Sequence, residues 1–235
     1  MNEKKILSLD DFTKLLDSVK GDHRLEKIVE LMGKDGLTFE QAIQYVDLEE
    51  EINLKVKNTL IIGGPGTSAY ILLKYLIWCK DDSNKCLCVE DEGNTIEFLS
   101  DRSNTDVMYI DEFNFNIEKS YDYIFLNSCS VDQSIKNIID TKTPTVLRAL
   151  MDDISKYSLR QLKDAFDLIV ITNPYFYDNR KQLYKDPIKN LIGSSEYVER
   201  LTKREDAIII YQDKIMNITL HLPQAFLDSY YKGRG

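Results

Sequence analysis

Three groups of residues in this chain have types and spacings that could do chemistry. The first is a bend without side chains, Gly63-Gly64-Pro65-Gly66-Thr67-Ser68, between the apolar run Thr59–Ile62 and the helical pattern Ile71–Trp78. Glycine lets backbone and ligand approach closely. A helix beginning at the bend would point unpaired N–H groups and a partial positive charge into the same space, so the stretch suits a nucleotide-type ligand. The second is a set of polar residues at the ends of apolar runs: Glu90 after Cys88-Val89, Asp111 after Tyr109-Ile110, and Asn127 after Phe125-Leu126. Glu90 lies 24 residues beyond Gly66, close to the spacing of about 20 at which an acid meets ribose hydroxyls in dinucleotide-binding units. The same acids also read as solvated turns. The third comprises Asp152 and Asp153, a carboxylate pair suited to a general base or a divalent cation, and Asn173-Pro174-Tyr175, which is also an ordinary turn sequence.

These residues must be positioned by elements, and the chain suggests two regions. Residues 1–55 read as a helical N-terminal cap, with helices over about Leu7–Val19 and Arg24–Met32 and a third starting near Thr38. That region could cap a sheet, shape a substrate pocket or form a homodimer. Residues 56–235 alternate strand and helix. Candidate strands are 58–62, 86–90, 107–110, 122–127, 144–148 and 168–172, and candidate helices are 67–79, 94–100, 131–139 and 155–165. Strands separated by helices pair in parallel through right-handed crossovers. Ala207–Tyr211 and Ile215–Leu220 flank Gln212-Asp213-Lys214 as an antiparallel hairpin. The fold class expected is α/β: a doubly wound, mostly parallel, Rossmann-like sheet with a C-terminal hairpin and an N-terminal helical extension.

Composition narrows the functions. The 235 residues carry a net charge of −9 and 43% apolar residues, and the pI is near 4.9. That balance argues against nucleic acid or an anionic membrane as a general partner. With no apolar run of about 18 residues and no signal-like start, the expectation is a cytoplasmic protein acting on a small molecule. Cys86 and Cys88 alternate along a strand, and His23 and His221 are the only histidines, so no metal site is expected.

Gly64-Pro65-Gly66-Thr67-Ser68-Ala69 resembles the glycine motif of class I S-adenosylmethionine-dependent methyltransferases. The resemblance covers roughly residues 56–220. It implies that Gly63, Gly64, Gly66, Thr67 and Ser68 hold the methionine end of S-adenosylmethionine. Glu90 would bind the ribose, Asp111 the adenine, and Asn127 would line the crevice. Asn173 and Tyr175 partly resemble the Asn-Pro-Pro-Tyr motif of amino-methylating members, with Asp152 or Asp153 available as a base. Two other readings stay open. One is another nucleotide-cofactor enzyme, of the NAD dehydrogenase or adenylating type. The other is a non-catalytic Rossmann-like binding or scaffold module, since Ile61 and Ile62 stand where the methyltransferases keep an acid.

Overall fold

The computed structural model describes residues 20–35, 37–40, 42–43, 45–47, 56–64, 67–90, 103–110, 113, 120–127, 131–140, 142–174, 181–220, 222 and 224–232. The expected helices at Leu7–Val19 and 94–100, and the residues Gly66, Asp111 and Tyr175, lie outside this set. The chain divides into two compact units, Met1–Val56 and Lys57–Gly235.

In the first unit, helix α1 (His23–Asp35) has an apolar stripe with Ile28 and Leu31 buried. These pack with Ala42 and Val46 of a further helical stretch into a small separate core. Asp22 ends the preceding turn by accepting from the amides of Arg24 and Leu25 through its carboxylate. That is the side-chain capping a helix start needs.

The second unit is an α/β fold built on an eight-stranded, mostly parallel sheet. The strands are β1 (Thr59–Ile62), β2 (Cys86–Glu90), β3 (Thr105–Tyr109), β4 (Tyr123–Asn127), β5 (Thr145–Ala149), β6 (Leu168–Thr172), β7 (Asp206–Tyr211) and β8 (Lys214–Thr219). Their order is β3-β2-β4-β5-β1-β6-β7-β8. The first six run parallel; β7 is antiparallel to β6, and β8 to β7. The β7–β8 turn uses Gln212 at φ 52°, a left-handed position that two-residue hairpin loops require. Strands β1, β2, β5 and β6 are buried along their whole length, as parallel strands covered on both faces must be.

Among the described residues, the helices of this unit are α2 (Ala69–Trp78), α3 (Val131–Asp140), α4 (Met151–Ile154), α5 (Leu159–Ala165), α6 (Lys181–Ile192), α7 (Glu196–Glu199) and α8 (Gln224–Lys232). Side chains alternate between sheet faces. Leu60, Ile62, Leu126 and Leu147 on one face pack with Ile138 of α3, Ile154 of α4, Leu162 of α5 and Ile188 of α6. Over the other face lies α2, with Phe226 of α8 in edge contact with its Tyr75 and Trp78. Among the described residues no helix is long and apolar enough to cross a membrane.

This order corrects one expectation. A dinucleotide or methyltransferase layout sets the glycine strand beside the strand that bears the acid. Here β5 and β4 stand between β1 and β2, so their tips are about 14 Å apart at the usual spacing between strands. The alternation of apolar runs is the same in both arrangements, which is why the lateral order was not visible in the sequence.

Candidate functional site

The glycine turn follows β1 at the carboxyl edge of the parallel strands, flanked by β5 and β6. Gly63 donates its amide to the carbonyl of Ala149 at 3.0 Å, extending the β1–β5 ladder by one residue. A side chain is impossible there. A Cβ on Gly63 would lie 2.2 Å from Thr172 Oγ1, 2.6 Å from Thr67 Oγ1 and 2.7 Å from Ala69 Cβ. The space beside Gly63 is therefore filled by two hydroxyls and the Ala69 methyl. Thr67 Oγ1 donates to the carbonyl of Gly64 at 2.9 Å and accepts from the amide of Ala69 at 3.2 Å. Thr172 Oγ1 lies 3.1 Å from both the carbonyl of Ile62 and Thr67 Oγ1. Ser68 donates to the carbonyl of Arg204 at 2.8 Å, tying the start of α2 to the segment before β7. Gly64 is more open: the nearest atom to a Cβ there is Tyr184 Oη at 3.5 Å.

A second feature lies along the sheet. The register aligns Glu90, Asn127, Arg148, Ile61 and Val170 across five adjacent strands, so all five project from one face. Glu90 is buried (1% exposed) and accepts from Asn127 Nδ2 at 3.2 Å. Arg148 Nη1 donates to Asn127 Oδ1 at 2.7 Å. The guanidinium sits 5.7 Å from the ring centroid of Tyr70, in the first turn of α2. Lys74, one helical turn on, is buried and lies 4.5 Å from the same ring and 5.3 Å from that of Tyr230. Burial pulls the Arg148 guanidinium below its usual range, while Tyr70 and Glu90 pull it back upward. It stays charged at neutral pH, as arginine does in proteins. A polar chain, Glu90–Asn127–Arg148–Tyr70, thus runs from β2 to the start of α2 beside the glycine turn. It can attract and orient an anion through the guanidinium and the helix N-terminus.

The other expected residues fall elsewhere. Asp152 and Asp153 are exposed on the four-residue helix α4. The Asn173 side chain donates to the carbonyl of Lys203 at 2.6 Å, and its amide donates to the carbonyl of Asp206 at 3.0 Å. Both of its donors therefore hold the passage from β6 to β7. Arg148, Tyr70, Lys74 and Thr172 were not among the expected site residues. The available signal was Arg148, a lone charge inside the otherwise apolar or β-branched run Thr145–Ala149.

The described residues give a strand, a glycine turn and a helix between parallel neighbours, an arrangement that binds phosphates in many nucleotide-binding proteins. No family model and no curated protein matches this chain. Among solved structures it is similar to the VirB11 ATPase from the Brucella suis type IV secretion system, solved in complex with sulphate. The TM-score is 0.43 and the identity 13%, over 73% of this chain and 59% of that one. It is also similar to the Legionella pneumophila ATPase DotB, with a TM-score of 0.42 and 14% identity over 66% of this chain and 55% of that one. This chain thus spans less than two thirds of either neighbour. The resemblance to S-adenosylmethionine-dependent methyltransferases is corrected by the sheet order, in which β4 and β5 stand between β1, which leads into the glycine turn, and β2, which bears Glu90. The methyltransferase activity and S-adenosylmethionine as cofactor fall with it, and the separation of β1 from β2 gives the physical reason.

An ATP-cleaving turn of the type G-x-x-x-x-G-K-[ST] needs a lysine on the phosphates and a hydroxyl on Mg²⁺. Laid on the turn from Gly63, the corresponding residues are Ser68, Ala69 and Tyr70. The cation's other ligand in such sites is a carboxylate on a nearby strand. The strand tips facing α2 offer Arg148 and Asn127 instead, and Glu90 stands behind Asn127. Among the described residues, this set does not fit a divalent cation. Among the described residues no group of three or more His, Cys, Asp or Glu could hold a metal ion.

Proposed function

We propose that the chain is a nucleotide-binding module on a doubly wound, Rossmann-like sheet, and that it holds a nucleotide's phosphates at the glycine turn without cleaving them. The observation that carries this reading is the Arg148 guanidinium beside Tyr70, in the first turn of the helix that follows the glycine turn, while the lysine and magnesium-bearing hydroxyl of a cleaving turn are replaced by Ala69 and Tyr70. Arg148 and the start of α2 supply positive potential for phosphate. The one carboxylate of the Glu90–Asn127–Arg148 chain is buried and accepts from Asn127. Binding of this kind suits regulation or assembly rather than turnover.

A second reading is favoured by the filled space beside Gly63, where the Thr67 hydroxyl donates to the Gly64 carbonyl and lies 3.1 Å from that of Thr172. On that reading the unit is a scaffold that keeps the fold and binds no nucleotide. Thermal unfolding with ATP, ADP, NAD and S-adenosylhomocysteine separates the two, because a ligand that binds the native state raises the melting temperature by mass action. ATP or ADP at 100-fold its Kd adds about 2.7 kcal/mol. A shift with ATP and ADP, with ATP recovered intact, supports the proposal; ATP hydrolysis, or no shift with any of the four, refutes it.

A further inference from the structure

Building on the nucleotide-binding reading, we infer that the Arg148 guanidinium takes the place a divalent cation holds at an ATP-cleaving turn, so that this chain binds nucleotide phosphates without magnesium. The position is set by the sheet. Arg148 pairs with Ile61 in register, two residues before Gly63 on the neighbouring strand. From there the guanidinium reaches Asn127 Oδ1 at 2.7 Å on one side and the Tyr70 ring at 5.7 Å on the other. Tyr70 stands where a cation-holding turn would carry its hydroxyl, and Asn127 is an amide at a strand tip where a carboxylate could have served a cation. The one oxygen Asn127 could offer a metal is already the acceptor for Arg148.

Charge points the same way. Two buried cations, Arg148 and Lys74, lie within 6 Å of the Tyr70 ring, and one buried carboxylate, Glu90, stands farther along the row. A magnesium ion brought here would meet like charge and a tyrosine ring. A phosphate would meet a planar fork of N–H donors whose geometry matches its oxygens. The masking of nucleotide charge that enzymes assign to magnesium is thus built into β5.

The test is isothermal titration calorimetry of the full chain with ATP and with ADP, each in millimolar MgCl₂ and in excess EDTA. The inference expects dissociation constants in the two buffers to agree within about threefold, a difference under 1 kcal/mol. Affinity at least about tenfold weaker in EDTA overturns it while leaving the nucleotide-binding reading intact. Absence of binding in both buffers overturns the reading as well. Arg148→Gln should lose about tenfold or more in both buffers, the scale of one charge-assisted hydrogen bond, and Arg148→Lys should keep binding independent of magnesium. Unchanged affinity in folded Arg148→Gln also overturns the inference. Circular dichroism checks folding, and if Arg148→Gln does not fold, the comparison of buffers on the natural chain decides.

Discussion

Replacing Gly63 by alanine tests the packing of the turn without reference to any ligand. The added Cβ would sit 2.2 Å from Thr172 Oγ1 and 2.6 Å from Thr67 Oγ1. Neither atom is the end of a flexible chain: both hydroxyls are on buried, β-branched residues, and both are hydrogen-bonded. Overpacking of this kind costs about 1–3 kcal/mol, and displacing either hydroxyl loses a hydrogen bond of about 1 kcal/mol. The sum is a destabilisation of about 2–4 kcal/mol, or roughly 5–15 °C in melting temperature for a unit of this size. Trp78, the one tryptophan, lies in α2 against Tyr75 and Phe226. Its fluorescence therefore reports unfolding of this unit in a urea titration. Gly64→Ala is the control: its nearest neighbour is at 3.5 Å, and its change should stay within about 0.5 kcal/mol. Removing the closest obstacle in Gly63→Ala/Thr172→Ala should make the pair less destabilised than the sum of the singles, by about 0.5–3 kcal/mol. A Gly63→Ala protein within about 0.5 kcal/mol of the natural chain would refute the packing described for the turn.

Other expected outcomes follow from single contacts. Ser158 and Gln161 form a reciprocal cap at the start of α5, so Ser158→Ala should cost about 1 kcal/mol in urea unfolding. Asp167 accepts from the amides of Lys57 and Asn58 at 3.0 and 2.9 Å at the entry to β1; Asp167→Ala should lower the urea midpoint by an amount equivalent to about 1 kcal/mol. Burial would raise the Asp206 carboxyl, but the amides of Lys203 and Thr202 and the hydroxyls of Thr219 and Thr202 outweigh it and hold it below the usual 3.8. A carboxyl lowered in the folded state adds stability above its unfolded pKa and loses it as pH falls through the folded one. The stability difference between the natural chain and Asp206→Asn should therefore be full above pH 3.8 and shrink below it; a difference that grows in acid contradicts this.

Much of the architecture was legible because burial leaves a direct imprint on local pattern. The runs 58–62, 86–90, 122–127, 144–148 and 168–172 match β1, β2, β4, β5 and β6 within one residue at each end, since strands covered on both faces are unbroken apolar stretches. The expected helix at 155–165 is shorter in the structure: α5 begins only at Leu159, behind the Ser158 cap, and α4 ends at Ile154, before the expected start; a serine that can bond its own backbone is a natural break. The lateral order was not legible. Nothing in the sequence of β2 records that β4, rather than β1, stands beside it, and so Glu90 was expected next to the glycines when its partner is Asn127. Asn173 was open between a plain turn and a substrate clamp because the carbonyl it holds, on Lys203, is 30 residues away in sequence. Arg148, which closes the expected run 144–148, was not expected in the site for the opposite reason: a charge at the end of an apolar run reads as a strand end until the neighbouring strands show it to be buried.

The central claim is retention of nucleotide binding without turnover. Incubating the full chain with ATP while recording binding heat and separating nucleotides by chromatography tests it directly. The account predicts saturable heat and ATP recovered unchanged; ADP accumulating in proportion to protein and time, or no heat at any ATP concentration, contradicts it.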